Sequence, residues 1–253
     1  MVRGVPIVRG REDLPGATAF ATGENIVTVM TYNIHSGRGA DGVLDLDRTR
    51  QVIEASGAQL VALQEVDRWT LRTGLVDQMK ALVGQRPWQY AYGPNLFLPP
   101  GFYGNALLSV YPIRESSHVS LPSPRETRGF LRAVVQVTPS QDIVVYVTHL
   151  GLNQNEREQH VKMLLHSVRD EKLPVILMGD FNAEADSAEI GALKEVLHDL
   201  GASERQATFP SYAPAHRIDY IFVCDGFEVK NLYVSEHLAS DHLPVVARLL
   251  LVE

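Results

Sequence analysis

Eight polar side chains interrupt or end apolar stretches of this sequence where a β-strand would stop. Asn33 closes VTVMTYN, Glu65 closes LVALQE, His149 closes VVYVTH, Asp180 and Asn182 follow VILMG, Asp219 precedes YIFV, and Asp241 and His242 precede LPVV. Strand ends are where open α/β sheets place their chemistry. Four carboxylates brought to one rim repel each other strongly at low effective dielectric, so they must meet a cation or take up protons. A bound divalent metal resolves this. The ligand atoms are oxygens of Asn, Asp and Glu with no thiolate among them, which suits Mg²⁺ or Mn²⁺ and argues against zinc or copper.

Taken singly, each residue has a plainer explanation. Asn33 could tie down a loop, Glu65 could pair with nearby Arg68, and His149 could be a satisfied core histidine. Gly-Asp-Phe-Asn is good turn chemistry. Asp219 could pair with Arg217, and Asp241 and His242 could cap a strand. It is their joint occurrence on strand ends that favours a shared site.

The elements around them must deliver that convergence. Residues 25–34 and 60–67 read as strands, joined by a helix over 44–57 that turns Leu46, Val52 and Ile53 inward and closes on Gly57. A second helix is expected over 75–84, with Leu75, Met79 and Leu82 on one face. Residues 142–150 form a strand, and after Asn155 the series Val161, Leu164, Leu165 and Val168 marks a helix. Residues 174–182 run from buried strand into loop, and 186–201 open on an Asp186-x-x-Glu189 capping box. Late strands cover 217–223, 227–235 and 243–252. Such a mixture favours mixed sheets packed face to face with helices outside. The two halves also echo each other: Asn33 to Glu65 spans 32 residues and His149 to Asp180 spans 31. Two similar halves facing one another would gather all four side chains at one edge.

Composition agrees with a folded chain. Of 253 residues, 45% are hydrophobic and 21% charged, which excludes disordered, collagenous and coiled-coil classes. The lone Cys224 rules out an intramolecular disulfide and a multi-thiolate zinc site. With no linker or low-complexity tract, a mixed leader over 1–25 precedes a single domain over 26–253. No signal-like or membrane-spanning apolar run occurs, so a soluble, cytoplasmic monomer is expected. Net charge is −7, and five lysines with no basic run count against long nucleic acid as a partner.

The ordered motifs resemble the endonuclease/exonuclease/phosphatase superfamily, the deoxyribonuclease I-like metal-dependent phosphoesterases. They are TYNIH at Asn33, LQEVD at Glu65, YGNALLS at Asn105, VTHL at His149, GDFNA at Asp180 and Asn182, RIDYIF at Asp219, and SDHLPV at Asp241 and His242. The resemblance implies an α/β fold, a four-layered sandwich of two packed mixed β-sheets flanked by helices, and Mg²⁺- or Mn²⁺-dependent hydrolysis of a phosphoester. It implies that Glu65 is the principal metal ligand, assisted by Asn33 and Asp241. Asp180, oriented with Asn182, would activate the attacking water; His242, held by Asp219, and His149 would contact the scissile phosphate. Asn105 joins the substrate-binding positions. Arg128 and Arg132, in ETRGFLRAVV, offer further phosphate contacts, with strand-surface arginines as the plainer alternative.

Three other readings compete. Residues 37–42, GRGADG, match a dinucleotide-binding fingerprint, although Asn33 to Ser36 intervene between strand and first glycine. A non-catalytic phosphate-binding protein on the same fold is the second. A serine nucleophile fails, since Ser240, Asp241 and His242 are sequence neighbours and no G-x-S-x-G occurs. Substrate is decided by loops, of which 94–105, PNLFLPPGFYGN, would wall a pocket, touch lipid or simply pack.

Overall fold

The computed structural model of the chain describes residues 8–10, 25–203 and 206–252. Most of the expected leader lies outside the described residues; Val8–Gly10 form a short strand, β1.

Two strand–helix–strand units form the frame. In the first, β2 (Ile26–Asn33) runs into α1 (Leu46–Ser56) and returns as β3 (Leu60–Arg68), parallel to β2. Asp45 caps α1, its carboxylate accepting from the backbone N–H groups of Asp47 and Arg48, and Gly57 ends the helix at φ 64°. That cap also decides the dinucleotide reading. The N–H groups a pyrophosphate would need already bind the Asp45 carboxylate, so the fingerprint at 37–42 is a loop and nothing more.

The middle of the chain is richer in strands than expected. α2 (Gln78–Val83) is followed by β4 (Gln89–Leu98), β5 (Gly101–Ser109), β6 (Ile113–Leu121) and β7 (Arg128–Thr138). The segment 94–105 is therefore the arms and turn of the β4–β5 hairpin. α2 starts three residues later than the periodicity of 75–84 suggested. Asp77 caps it, and Leu75 stands before the cap, 49% exposed and at φ 62°.

The second unit is β8 (Gln141–His149), α3 (Gln154–Arg169) and β9 (Val175–Asp180), again with parallel strands. α4 (Ala188–Lys194) is capped by Ser187 instead of Asp186 and stops well short of residue 201. Glu189 is occupied by the Arg157 guanidinium, which removes it from a capping box. The chain ends with β10 (His198–Asp199), β11 (Asp219–Val223), β12 (Phe227–Val234) and β13 (Val245–Leu251).

These strands make two mixed sheets, ordered β1-β4-β5-β3-β2-β13-β12 and β10-β11-β9-β8-β7-β6. Val29, Ala62, Leu107, Leu131, Val145, Met178 and Ala247 fill the space between them. On the outer faces, Met30, Tyr32 and Leu63 pack with α1 and α2, and Tyr146, Leu177 and Phe222 with α3 and α4. The four-layered sandwich is thus confirmed. Burial on both faces explains why β3 and β9 read as nearly unbroken apolar runs.

β9 approaches β8 closely at Gly179, where a Cβ would fall 2.1 Å from the Thr148 carbonyl oxygen. Gly179→Ala should therefore cost at least about 2 kcal/mol, because backbone cannot give way as a flexible side chain can. Urea denaturation measures this. A change below about 0.5 kcal/mol would show that the strands part freely.

Candidate active site

The registers dictate where the polar strand ends meet. Asn33, ending β2, lies beside Gln64 in the middle of β3, which runs on past Glu65 to Arg68 instead of closing there, and His149 lies beside Asp180 at the ends of β8 and β9. Asp219 opens β11 opposite Asp180, and β13 enters antiparallel to β2 just after Asp241 and His242. All of them occupy one edge of the sandwich.

The hub is the Asp180 carboxylate, itself 1% exposed. Its Oδ2 accepts from Asn33 Nδ2 at 3.0 Å and lies 3.4 Å from His149 Nε2 and 3.7 Å from His242 Nε2. Its Oδ1 accepts from the Asn182 backbone N–H at 2.9 Å. Asn182, at φ 49°, also donates its side-chain amide to the Leu150 carbonyl, which locks the turn after β9. Burial pushes the Asp180 pKa up to about 7 against the opposing pull of His242, with the Asp219 charge adding to the rise.

The two imidazoles are held in different states. Arg128 Nη1 lies 3.1 Å from His149 Nδ1. An arginine can only donate, so Nδ1 is the acceptor and the proton of neutral His149 sits on Nε2, facing Asp180. Burial, then Arg128 and His242, hold the His149 pKa well below the usual imidazole range. His242 goes the other way. Burial alone would lower its pKa, but the carboxylates of Asp219 and Asp180 outweigh burial and raise it to about 10. Its Nδ1 is 2.9 Å from Asp219 Oδ2, which also accepts from the Thr208 hydroxyl at 2.6 Å, and its ring packs 4.8 Å from that of Phe209.

Glu65 reaches the site through a bulge. The β3–β5 register shifts between Leu63 and Val66, and Glu65 adopts φ 60°. A non-glycine residue in that region costs on the order of 1 kcal/mol and persists only where neighbours fix it. Asn33 Nδ2 supplies one such constraint, donating to Glu65 Oε1 at 3.1 Å. Burial raises the Glu65 pKa, and Asp241 adds to the rise. Asp241 is partly exposed, with His35 Nδ1 3.6 Å from its Oδ1.

Asn33, Glu65, His149, Asp180, Asn182, Asp219, Asp241 and His242 are therefore brought together, and Arg128 joins them through His149. Asn105 ties the sheets beside them, donating to the Gly129 carbonyl at 2.9 Å while its Oδ1 stays buried without a partner. Arg132 is not brought to the cluster. Its side chain leaves the outer face of β7 to pair with Glu171 and Glu115, four residues further from the edge than Arg128. Three contributors were not singled out from the sequence: Thr208, Phe209 and His35. His35 lies inside the TYNIH motif, whereas Thr208 and Phe209 sit in a stretch with no periodic signal.

The donor chemistry suits a divalent cation. Glu65, Asp180, Asp219 and Asp241 place four carboxylates around a single cationic imidazole, and the raised Glu65 and Asp180 pKa values measure the unmet repulsion and burial. Ligand-type atoms of Asp180, Asp219 and His242 also lie within 4.8 Å of one another.

Together the two sheets and this carboxylate–imidazole edge define a deoxyribonuclease I-like α/β sandwich hydrolase. The chain belongs to the endonuclease/exonuclease/phosphatase family, whose profile matches residues 30–242. Members of this family are phosphoester hydrolases. The chain is 31% identical over 250 residues to "Uncharacterized protein YbhP" of Escherichia coli strain K12, covering 87% of this chain and 95% of that protein. An endonuclease/exonuclease/phosphatase from Beutenbergia cavernae superposes with a TM-score of 0.75 at 26% identity, over 90% of this chain and 72% of the other. A mannosyl-6-phosphatase from Bacteroides thetaiotaomicron shares the fold, with a TM-score of 0.69 at 20% identity over 88% and 99% of the two chains. Among the described residues, no helix is long and apolar enough to cross a membrane.

In chelator-treated protein, the Asp180 carboxyl should titrate near pH 7 by ¹³C NMR. Its folded pKa lies above the unfolded one, so the native state keeps a proton the unfolded chain releases, and stability falls as pH rises from about 4 through about 7. Asp180→Asn should flatten that part of the pH–stability curve. An Asp180 carboxyl titrating below about pH 5 would refute this account of the hub.

Proposed function

We propose that the chain is a divalent-metal-dependent phosphoesterase in which Asp180 activates the attacking water. One observation carries the reading: Asn33, His149 and His242, from strand ends of both sheets, converge on a single oxygen of buried Asp180.

A phosphoester anion resists attack until its charge is offset, a water is aligned and the leaving oxygen is stabilised. Glu65 and Asp241 are the residues that would hold the cation. Mg²⁺ or Mn²⁺ bound there would supply electrostatic stabilisation of the phosphoryl oxygens. Asn33 serves the pair by orientation. Its amide nitrogen faces both Glu65 and Asp180, and its Oδ1 accepts from the His35 N–H at 3.0 Å.

The remaining work falls to the chain's own groups. Asp180 has an acceptor oxygen fixed by the Asn33 amide and a pKa suited to removing a proton from water near neutral pH. His149 has its only ring proton on Nε2, toward the site, and Arg128 blocks its other nitrogen, so it acts as a neutral hydrogen-bond donor. His242, cationic and anchored by Asp219, offsets phosphoryl charge and carries the transferable proton for the leaving oxygen. The same arrangement argues against a purely phosphate-binding role, for which a buried carboxylate at the centre would be a repulsive liability.

The purified chain with Mg²⁺ or Mn²⁺ should release p-nitrophenol from bis(p-nitrophenyl) phosphate, and EDTA should abolish release. Asp180→Ala and His242→Ala should each lower kcat/KM by at least about 100-fold, as expected for loss of a contact made in the transition state. Turnover indifferent to chelation, or an Asp180→Ala enzyme as active as wild type, removes the reading.

A further inference from the structure

The rim above the cleft has a chemistry that the catalytic residues leave unused. Because the site-bearing strands converge on one edge, the loops 34–45, 69–77, 122–127, 150–153, 181–187, 207–218 and 235–244 and the tip of the β4–β5 hairpin lie around the carboxylate–imidazole cluster. Ten of the fourteen exposed large apolar side chains among the described residues stand on this rim. Leu71, Leu152 and Tyr212 are 71%, 75% and 70% exposed, and Trp69, Leu75 and Leu238 complete the ring's main members. Exposed apolar side chains scattered singly are ordinary. Their concentration on the loops of one edge is not.

The most apolar of these loops is built to hold its side chains outward. Trp69 N–H donates to the Val76 carbonyl and Leu75 N–H to that of Thr70, each at 2.9 Å. Beneath them, Arg68 grips Asp77, and buried Asp67 accepts from the Thr70 hydroxyl and Arg72 Nε, both at 2.7 Å. Trp69 and Leu75 both take left-handed backbone angles, φ 58° and 62°, which bulky residues rarely adopt. A polar network thus fixes a strained loop in which Leu71 and Leu75 face water while the Trp69 ring lies over the Arg68 guanidinium, 39% exposed. Such rigidity lowers the ordering cost of a contact made elsewhere.

The charge pattern identifies what fits. With a cation held by Glu65 and Asp241, Arg128, His149 and His242 complement an anionic phosphoryl group, and the loops above add exposed apolar side chains among polar ones such as Arg72 and His216, so head and rim together match an amphiphile. With 23 Lys and Arg against 30 Asp and Glu, the net charge of −7 provides no overall attraction to acidic lipid, leaving apolar insertion as the means of contact. We propose that the substrate is a lipid phosphoester, taken from a phospholipid surface on which the ring of Trp69, Leu71, Leu75, Leu152, Tyr212 and Leu238 docks. The head-group chemistry rests on the phosphoesterase reading above; the docking surface does not. In the reaction water's oxygen bonds to phosphorus, the P–O bond to the leaving group breaks, and one water proton ends on the departing alcohol or phenol.

Two measurements test this with the Mg²⁺-loaded chain. Co-sedimentation with phosphatidylcholine vesicles should recover the wild-type protein, with binding that persists at high salt. Leu71→Ser/Leu75→Ser should lower the bound fraction at least about tenfold, since two apolar contacts are lost. Met163→Ser/Leu173→Ser, exposed but away from the rim, should bind like wild type. In kinetics, the rim variant should lose at least about tenfold in kcat/KM on hexadecyl p-nitrophenyl phosphate carried in those vesicles, yet stay within about twofold on bis(p-nitrophenyl) phosphate. Wild-type protein that ignores vesicles while hydrolysing bis(p-nitrophenyl) phosphate overturns the lipid proposal alone. So does a rim variant that affects both substrates equally or neither. Vesicle binding without hydrolysis of either substrate overturns the phosphoesterase reading and leaves the docking surface standing.

Discussion

A carboxylate buried at one edge of the sandwich governs the rest of the structure. Asp180 is almost wholly removed from water, where an unpaired charge is severely penalised. It is tolerated because donors from distant parts of the chain aim at it: Asn33 from one sheet, and the Asn182 N–H and two imidazoles at the same edge. Those donors offset the burial only in part, and the carboxyl's affinity for a proton is the remainder. A group in that condition gains most from a water or cation placed beside it, so the burial that destabilises the ionised form also prepares the site.

Bringing the donors together is a topological matter. Each sheet contains one parallel pair made by a strand–helix–strand unit, and a parallel pair delivers two strand ends to the same edge. Face-to-face packing then sets one edge against the other. Antiparallel neighbours complete the set, since β11 and β13 begin where β9 and β2 finish. No long loop is needed to carry a catalytic side chain across the molecule.

The parallel units were legible in the sequence because strands buried on both faces read as apolar runs, against which Asn33, His149 and Asp180 stand out. Other features lacked such contrast. β6, polar RESSHVS in its middle and mostly half-buried or exposed, hides among loop-like residues, and the β4–β5 hairpin resembles a packed loop because Pro94, Pro99 and Pro100 punctuate it. Leu75 has helical spacing with Met79 and Leu82, but the stronger local signal was Asp77, whose capping of α2 leaves Leu75 outside. Arg128 and Arg132 look equivalent in sequence. Only the position of the sheet edge separates the one beside His149 from the one bound to Glu171.

The bulge in β3 links the site to the rim. Leu63 and Val66 both face the outer core under α1 and α2, which strict alternation along a strand forbids for residues three apart. The register shift between them resolves the conflict, and Glu65 falls within it. Beyond the shift the pleat is reset, so Arg68 faces outward to meet Asp77, and Asp67 is left to collect Thr70 and Arg72. Straightening the strand with every residue kept would turn Val66 to the inner face and Arg68 with it, dismantling the network that holds Trp69 and Leu75 in place. The bulge therefore both presents the Glu65 carboxylate at the edge and keeps Arg68 on the face where it meets Asp77, which ties the edge's chemistry to the loop above it.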